Sequence, residues 1–456
     1  MSITTLSDRG GRAAHAVPRG ADAARTLRRL LGAAALVLAV VVGGCDFDVT
    51  QPGRAEDTTL DDPAAFQPLV TGMSQRLSHA LWQVAYLTAE TSREYVEGGR
   101  IFTTKLTSIP GRLTREAGGT VGWTTGVQAR WVAEDGVRRF RELLPDASSS
   151  PLVAQALVHA GFANRLLGEA FCESVIDGGP AGSHRVYLEH AERHFTEAIE
   201  VAGRAGREEL VLAARAGRAS VRVGLADWPG AVSDAAGVPD DFTYNARYTN
   251  TTLNQYNILY WANANSPFRT FSVVGTFTEG YYAETGDPRV AWGSDPAVPT
   301  AEIATVPWLY PLKYRSVTDP IRLVTGREAR LIEAEAALRR GETELAVERL
   351  NALRAAVTSD LDGAPLAPWP PTASAEDAWR YLKLERGIEL FLEGRRIGDL
   401  RRWSEDGSPA ADVVDVTDRI RLCLPIPEAE LNTNPNLEPG HADPVNPLYT
   451  GPGGAS

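Results

Sequence analysis

The chain has 456 residues, of which 43% are hydrophobic and 23% charged, and these proportions argue against wholesale disorder, a collagen-like chain and a protein with many membrane spans. Its 46 Lys and Arg against 58 Asp and Glu give a formal net charge of −12, so no overall basic surface for nucleic acid is predicted. Three cysteines are too few for a small disulfide-stabilised scaffold.

The first 44 residues are predicted to be an export signal. Arg25, Arg28 and Arg29 precede an apolar run over residues 30–42, which is too short to cross a hydrocarbon core of about 30 Å as a helix. A basic segment, an apolar run and small residues follow one another as in a secretory signal. The run ends in Val-Gly-Gly before Cys45, which resembles a bacterial lipobox; the alternative is an ordinary secretory signal with a chance cysteine. We therefore predict a signal peptide over residues 1–44, acylation of Cys45 by chains such as palmitate, and a polar tether over residues 45–58.

The two other cysteines have two possible states. Once Cys45 is assigned to the lipid anchor, only Cys172 and Cys423 remain. Disulfides form and persist in export compartments, so a bridge between these two is expected there. The alternative is a pair of buried thiols.

Helical periodicity predicts a scaffold in two parts, over residues 59–236 and 322–404. Asp62 before Pro63 reads as an N-cap followed by the first helical position. Further helices are expected over residues 123–144, 151–171, 187–202, 208–224 and 226–236, and a hairpin over 327–357 turns at Gly341. Pairs of helices with small residues where they cross are typical of tetratricopeptide-like repeats. The predicted fold is therefore mainly α, a stack of helical hairpins interrupted by long loop-rich insertions.

The amino-acid composition changes over residues 237–321, which are rich in Asn, Thr, Tyr, Trp, Pro and Gly. Because no helical period is found there, we expect mostly loop, with short strands such as residues 271–277. The high aromatic content argues against disorder, and long irregular segments in compact domains are commonly functional. A second irregular segment is expected over residues 405–456.

Residues 379–403 place glutamates four residues apart, at Glu385, Glu389 and Glu393, among several arginines. As one helix, these residues would present the three carboxylates on one face. Two of them could act as the acid and nucleophile of a glycosidase. The neighbouring arginines would keep both ionised, however, so an ion-pair network that fixes the helix to the scaffold is the better interpretation.

Several motifs along the chain together resemble the SusD/RagB family of outer-membrane nutrient-binding lipoproteins. They are the lipobox at Cys45 with the following DVTQPG, residues 327–354, residues 385–403, and the LPIP segment of residues 424–427 with Glu430 and residues 434–437. The resemblance covers about residues 45–440 and implies a single SusD-like domain over residues 59–456. Asp46 after the lipidated cysteine is a departure, because an acidic residue there retains some lipoproteins at the inner membrane.

The resemblance also implies a function. Members of this family capture a nutrient at the cell surface, most often an oligosaccharide and sometimes a peptide, for import by a SusC-like TonB-dependent transporter. It implies a lipid-anchored, surface-exposed outer-membrane protein that is not an enzyme and needs no cofactor. Two alternatives stay open, namely a lipid-anchored exported hydrolase and a tetratricopeptide-type adaptor that binds envelope proteins.

The family has no fixed ligand-binding motif, so the candidate site is predicted from the chemistry of sugars. A sugar ring needs an exposed aromatic face with polar side chains at its edges. The insertion offers this best, with Asn254, Asn263 and Asn265 nearby; for each aromatic residue, packing beneath a long loop is the alternative. The candidate ligand-binding residues are Tyr256, Tyr260, Trp261, Trp292, Trp308 and Tyr310, with a second candidate at Tyr95 in the loop of residues 93–100 and Trp123 beyond it.

His190 and His194, one helical turn apart, have a spacing that can hold a transition metal. They lack the HExxH pattern, so packed or solvated histidines are the better interpretation and no metal site is predicted.

Overall fold

The computed structural model describes most of the chain beyond the predicted export signal. The described residues are 57–97, 115, 120–264, 269–295, 306–410, 417–438 and 440–450. Cys45, Asn265 and most of the predicted tether lie outside them. The chain from Asp57 onwards forms one unit by its contacts.

Six helices form the first part of the scaffold, and each packs against the next. The Asp62 side chain accepts a hydrogen bond from the amide of Ala64 at 2.8 Å, and Pro63 occupies the first position, which confirms the predicted start of the first helix. The six helices are α1 (Pro63–Thr91), α2 (Thr120–Leu143), α3 (Pro151–Ala170), α4 (Arg185–Arg204), α5 (Glu208–Gly224) and α6 (Trp228–Ala235).

Short antiparallel strands connect segments that are distant in sequence. Among the described residues β1 pairs with β5, β2 with β3, β4 with β8, and β6 with β7. In the β4–β8 pair Thr243 lies opposite Thr325, so this pair closes the base of the predicted insertion. The strands are β1 (Val96–Glu97), β2 (Glu173–Ser174), β3 (Gly182–Ser183), β4 (Thr243–Ala246), β5 (Phe271–Ser272), β6 (Trp292–Ser294), β7 (Leu309–Pro311) and β8 (Ile321–Thr325).

The insertion contains two short helices, α7 (Ile258–Ala264) and α8 (Phe277–Thr285), where mostly loop was expected. The Asn257 side chain accepts from the amide of Tyr260 at the start of α7, and Gly286, with φ of 65°, ends α8. Helices of seven and nine residues are too short to show a clear hydrophobic period, which is why the sequence pattern missed them. The predicted strand over residues 271–277 is confined to its first two residues.

The second part of the scaffold begins with the predicted hairpin of α9 (Gly326–Arg339) and α10 (Thr343–Ala355). The Thr325 hydroxyl accepts from the amide of Glu328 as the N-cap of α9, and Gly341 adopts a positive φ of 78° in the turn. Helix α9 packs against α5 and α6. The helical array therefore continues across the insertion.

The predicted helix over residues 379–403 is broken, which corrects the sequence interpretation. Helix α11 (Ala375–Glu389) and helix α12 (Arg396–Glu405) are separated by a turn in which Leu392 and Gly394 have φ of 55° and 70°. A Cβ on Gly394 would lie 3.2 Å from the Cα of Ala85, so this turn packs closely on α1. Glu393 consequently lies in the turn and shares no helix face with Glu385 and Glu389. Beyond α12, the described residues contain one further short helix, α13 (Glu428–Thr433).

Buried ion pairs connect α11 to the insertion and to α9. The Glu389 carboxylate is 1% exposed and lies 3.0 Å from the Arg289 guanidinium, 2.9 Å from that of Arg322 and 2.9 Å from that of Arg327. Burial alone would raise the pKa of Glu389, but the three arginines outweigh it and hold the pKa well below its usual range. Removal of one partner of such a group leaves a buried charge unpaired, which costs about 3–5 kcal/mol.

Arg395, in the same turn, joins three scaffold helices. Its guanidinium lies 2.8 Å from the carboxylate of Glu169 on α3 and 2.8 Å from that of Glu328 on α9. It also donates to the hydroxyl of Ser220 on α5 at 2.6 Å. The ion-pair network predicted for this segment is therefore present, and it reaches across the scaffold.

The interior consists of two apolar clusters. The larger draws on helices α1 to α9 and on the insertion, and the smaller lies between helices α9 to α12. No helix of the described residues combines the length and apolar character needed to cross a membrane.

Cys172 and Cys423 form a disulfide rather than two separate thiols. The amide of Cys172 donates to the carbonyl of Leu424 at 2.9 Å. The amide of Leu424 in turn donates to the carbonyl of Ala170 at 2.7 Å. The bridge and these hydrogen bonds fasten the C-terminal segment to the end of α3, across a sequence separation of 251 residues.

We expect reduction of this disulfide to destabilise the protein. A crosslink between distant residues restricts the unfolded chain, and its removal lowers the free energy of unfolding by about 2–5 kcal/mol. Urea titrations with and without dithiothreitol measure the change. The Cys172→Ala/Cys423→Ala variant is the control and should not respond to the reductant. A wild-type protein whose unfolding midpoint is also unchanged would contradict the prediction.

Burial raises the pKa of Glu94 to about 7. Its carboxyl is fully buried and accepts hydrogen bonds from the Leu392 amide at 2.6 Å and the Ser92 hydroxyl at 2.7 Å. In the unfolded chain a glutamate titrates near pH ~4.3. Between these two values the folded state holds a proton that the unfolded state has lost, so stability contributed by this group falls as pH rises.

The Glu94→Gln variant should remove this dependence. Relative to the variant, the wild-type free energy of unfolding should fall by about 3 kcal/mol between pH 4 and pH 8. Urea titrations across this range measure the difference. Glu189→Gln, at an exposed position of α4, is the control and should follow the wild type. A constant difference between wild type and Glu94→Gln would show that Glu94 does not titrate as stated.

Candidate ligand-binding site

Two candidate aromatic residues are in ring contact at the start of β7, where Tyr310 lies in the strand and Trp308 directly precedes it. Trp308 and Tyr310 are two residues apart, so an extended strand places them on the same side. Their ring centroids are 4.5 Å apart, with planes inclined by 42°. Gly293 lies opposite Tyr310 on β6, where a Cβ would be 2.6 Å from the tyrosine ring. The Tyr310 ring can therefore lie against β6 only because Gly293 has no side chain. We refer to Trp308 and Tyr310 as the aromatic pair.

Polar groups flank the aromatic pair. The Trp308 indole N–H donates to the side-chain oxygen of Asn263 at 3.3 Å, and Asn263 belongs to α7. The guanidinium of Arg269 lies over the Trp308 ring, 5.3 Å from its centroid. Both aromatic side chains are half-buried. Residues 265–268 and 296–305, which flank this site in sequence, lie outside the described residues.

The hydrogen bond to Asn263 and the pairing of β7 with β6 fix the aromatic pair before any ligand arrives. A platform of this kind suits the apolar C–H face of a sugar ring, and the amide and guanidinium suit its hydroxyls. Half-buried rings that are already held in place lose little conformational entropy on binding.

Trp292 belongs to a different contact. Alternation along β6 turns its side chain away from the side on which Gly293 meets Tyr310. Its indole N–H donates to the carbonyl of Glu279 at 3.1 Å, and its ring meets that of Tyr282 edge-on at 5.9 Å. Trp292 therefore braces α8 and is not part of the aromatic pair.

Three other candidates, Tyr256, Tyr260 and Trp261, lie in or beside α7. All are half-buried and pack against the main apolar cluster. These three side chains therefore fit the alternative of packing beneath a loop better than that of an open platform for a ligand. Of the neighbouring amides, Asn254 is exposed and Asn263 is 6% exposed.

The second candidate, Tyr95, is corrected by the structure. Its side chain is fully buried, its ring lies 4.0 Å from that of Phe271, and its hydroxyl donates to the carbonyl of Tyr86. A ring enclosed in this way has no face for a ligand. The pairing of β1 with β5 explains the burial, because it brings Tyr95 against the insertion.

Trp131 is an exposed aromatic residue that the sequence interpretation did not single out. It is 56% exposed on α2 and borders a pocket of about 260 Å³ with Trp123, Arg130, Asp177 and Glu430. Trp123 itself is buried, and its indole N–H donates to Glu430 at 3.2 Å. The sequence could have indicated this exposure, since Trp131 falls outside the apolar stripe of an otherwise amphipathic helix.

The glutamates considered as a glycosidase pair are bonded to basic side chains of the fold. Glu385 contacts Arg289 at 2.6 Å and Arg354 at 3.3 Å, and Glu393 contacts Lys313 at 2.7 Å. These groups are placed to hold the fold.

His190 and His194 both face the carboxylate of Glu134. The nearest atoms are 4.0 Å apart for His190 and 3.2 Å apart for His194, and Arg130 pairs with the same carboxylate at 2.5 Å. Within the described ranges, no group of three His, Cys, Asp or Glu side chains is arranged to hold a metal ion.

The sequence model described as "SusD family" matches residues 328–418, which include most of α9, helices α10 to α12 and the turn between α11 and α12. No curated protein matches the chain.

Solved structures share the fold over most of the chain at low sequence identity. A SusD-like carbohydrate-binding protein from Bacteroides vulgatus ATCC 8482 has a TM-score of 0.58 at 15% identity, covering 75% of this chain and 83% of its own. A SusD superfamily protein from Bacteroides thetaiotaomicron VPI-5482 has a TM-score of 0.61 at 13% identity, covering 86% and 99%. A SusD-like carbohydrate-binding protein from Bacteroides fragilis NCTC 9343 has a TM-score of 0.58 at 13% identity, covering 84% and 100%.

The mainly helical architecture is thus the SusD-like fold, as the helical hairpins and the ion-pair segment predicted. The chain therefore has the SusD-like fold and is similar in sequence to the SusD family over residues 328–418.

Proposed function

We propose that this protein binds an oligosaccharide at the aromatic pair and does not alter it chemically. The observation that carries the proposal is the contact of Trp308 with Tyr310, flanked by the Asn263 amide and the Arg269 guanidinium. A sugar needs an apolar surface for its C–H face and hydrogen-bonding groups at its edge, and this site supplies both. Two solved structures with this fold are described as carbohydrate-binding proteins, which supports the same ligand class.

We further propose that the protein acts at the cell envelope as a lipid-anchored, surface-exposed lipoprotein of the outer membrane. The lipobox at Cys45 and the match to the SusD family model support this placement. In this proposal the bound oligosaccharide passes to a SusC-like TonB-dependent transporter. A single acyl chain holds a protein only weakly, whereas the several chains of a lipoprotein anchor bind it firmly.

Replacement of the aromatic pair should abolish glycan binding. In calorimetric titrations with the ligands found by a glycan screen, Trp308→Ala and Tyr310→Ala should each weaken binding at least about tenfold, as truncation of an aromatic hot spot does. Incubation of the purified protein with the same glycans should yield no cleavage products.

The matched control is Trp131→Ala, which removes an exposed tryptophan from α2 and should leave glycan affinity unchanged. A glycan affinity that survives both replacements in the pair would reject the proposed site. Binding of peptides in place of glycans would reject the ligand class, and turnover of a glycan would reject the non-catalytic role.

Replacement of Cys45 should release the protein from the membrane. Because the cysteine thiol is the predicted acylation site, Cys45→Ala should lose labelling by a fatty-acid probe and move to the aqueous fraction, while retaining glycan affinity. Membrane fractionation with metabolic labelling measures both effects. A Cys45→Ala protein that is still labelled and still sediments with membranes would refute the anchor.

A further inference from the structure

A polar pocket of about 410 Å³ lies on the scaffold, away from the aromatic pair. Its walls come from α1, from α3, from the start of α5 and from β4. Its volume is within the range of pockets that hold small molecules in proteins. None of its lining residues belongs to the candidate site on β7.

Three residues that line this pocket carry a buried polar atom without a partner. Oε1 of Gln155, Nδ1 of His159 and Oδ1 of Asn245 are all buried and make no hydrogen bond with the described residues. His159 is 6% exposed. A buried polar atom left unpaired costs about 1–3 kcal/mol, and native proteins pair nearly all of them. Because these atoms are closed off from solvent, their side chains must turn to reach a molecule in the pocket, which would supply the missing partners.

The unpartnered atoms define the hydrogen-bonding groups that a ligand must supply. The amide oxygens of Gln155 and Asn245 are acceptors and require donors. Burial lowers the pKa of His159 to about 4, so its ring is neutral at pH 7 and can either donate or accept. Hydroxyl groups meet these requirements, because each can donate and accept.

The charges at the pocket favour an anion. Arg207 and Arg247 line it, and within the described part of the chain neither takes part in an ion pair or a side-chain hydrogen bond. Burial raises the pKa of Tyr244 to about 12. The charge of Glu209 adds to this rise, whereas the charges of Arg247 and Arg207 oppose it. All three charges are therefore close enough to act on the Tyr244 hydroxyl. Two guanidiniums against one carboxylate leave a net positive charge.

We propose that this pocket binds a small hydroxylated carboxylate, the chemical class of the sugar acids. Hydroxyls of the ligand would pair with Gln155, His159 and Asn245, and its carboxylate would pair with Arg207 and Arg247. Guanidinium groups suit carboxylates because they can donate two parallel hydrogen bonds. The pocket is a second binding site that does not depend on the aromatic pair.

Calorimetric titration of the full chain with D-glucuronate tests the proposal, with D-glucose and acetate as comparison ligands. Glucuronate should bind, and glucose and acetate should each bind at least about tenfold more weakly, because each lacks one set of charge-assisted or neutral hydrogen bonds. Glucose that binds as well as glucuronate, or no binding of glucuronate at millimolar concentration, would overturn the proposal.

Variants locate the binding. Arg207→Gln/Arg247→Gln should weaken glucuronate binding at least about tenfold. Arg193→Gln, which removes the same charge from an exposed position of α4, should not. Thermal unfolding of each variant should match the wild type, since the side chains of both arginines hold no partner among the described residues. Glucuronate binding that survives the double replacement would overturn the assignment to this pocket.

The Trp308→Ala variant separates the two sites. It should lose glycan affinity and keep glucuronate affinity, whereas loss of both would place glucuronate at the aromatic pair and overturn the second site. Glucuronate binding by a protein that binds no glycan would leave the pocket supported and the proposed function rejected.

Discussion

The fold depends on buried charges in and beside the turn between α11 and α12. Glu389 is enclosed by Arg289, Arg322 and Arg327, and its carboxylate is 1% exposed. Taking a charge out of water is so costly that each of these groups requires its partners in place. Arg289 belongs to the insertion, Arg322 to β8 at its base, and Arg327 to α9. The acidic end of α11 therefore holds the insertion against the scaffold.

This arrangement connects the scaffold to the candidate site. The strands that carry the aromatic pair are only three residues long and could not persist alone in water. Lys313, two residues beyond β7, pairs with Glu393 at 2.7 Å, and the Tyr314 hydroxyl donates to the carbonyl of Leu392 at 3.0 Å. The most charged part of the matched segment thus acts as a structural support, and the proposed ligand-binding site lies on the segment it supports.

The aromatic residues show how far sequence reasoning about the site could go. Composition pointed to the insertion, where Trp308 and Tyr310 do meet. It could not distinguish them from Trp292, because that distinction depends on which side of a short strand each ring takes. Tyr95 was assigned wrongly because its burial results from pairing with Phe271, a residue far along the chain. Trp131 was overlooked although helical periodicity alone places it outside the apolar stripe.

The sequence by itself determined the elements whose causes are local. The Asp62 cap, the small residues of the hairpins and the turn at Gly341 act within a few residues, so helices and their order could be read from the chain. Tertiary structure alone decided features that depend on distant partners. The break after Glu389 follows from contacts with α1 and Glu94, and the three buried atoms at the polar pocket come from two separate elements, α3 and β4. Such contacts are set by packing, and no spacing along the chain encodes them.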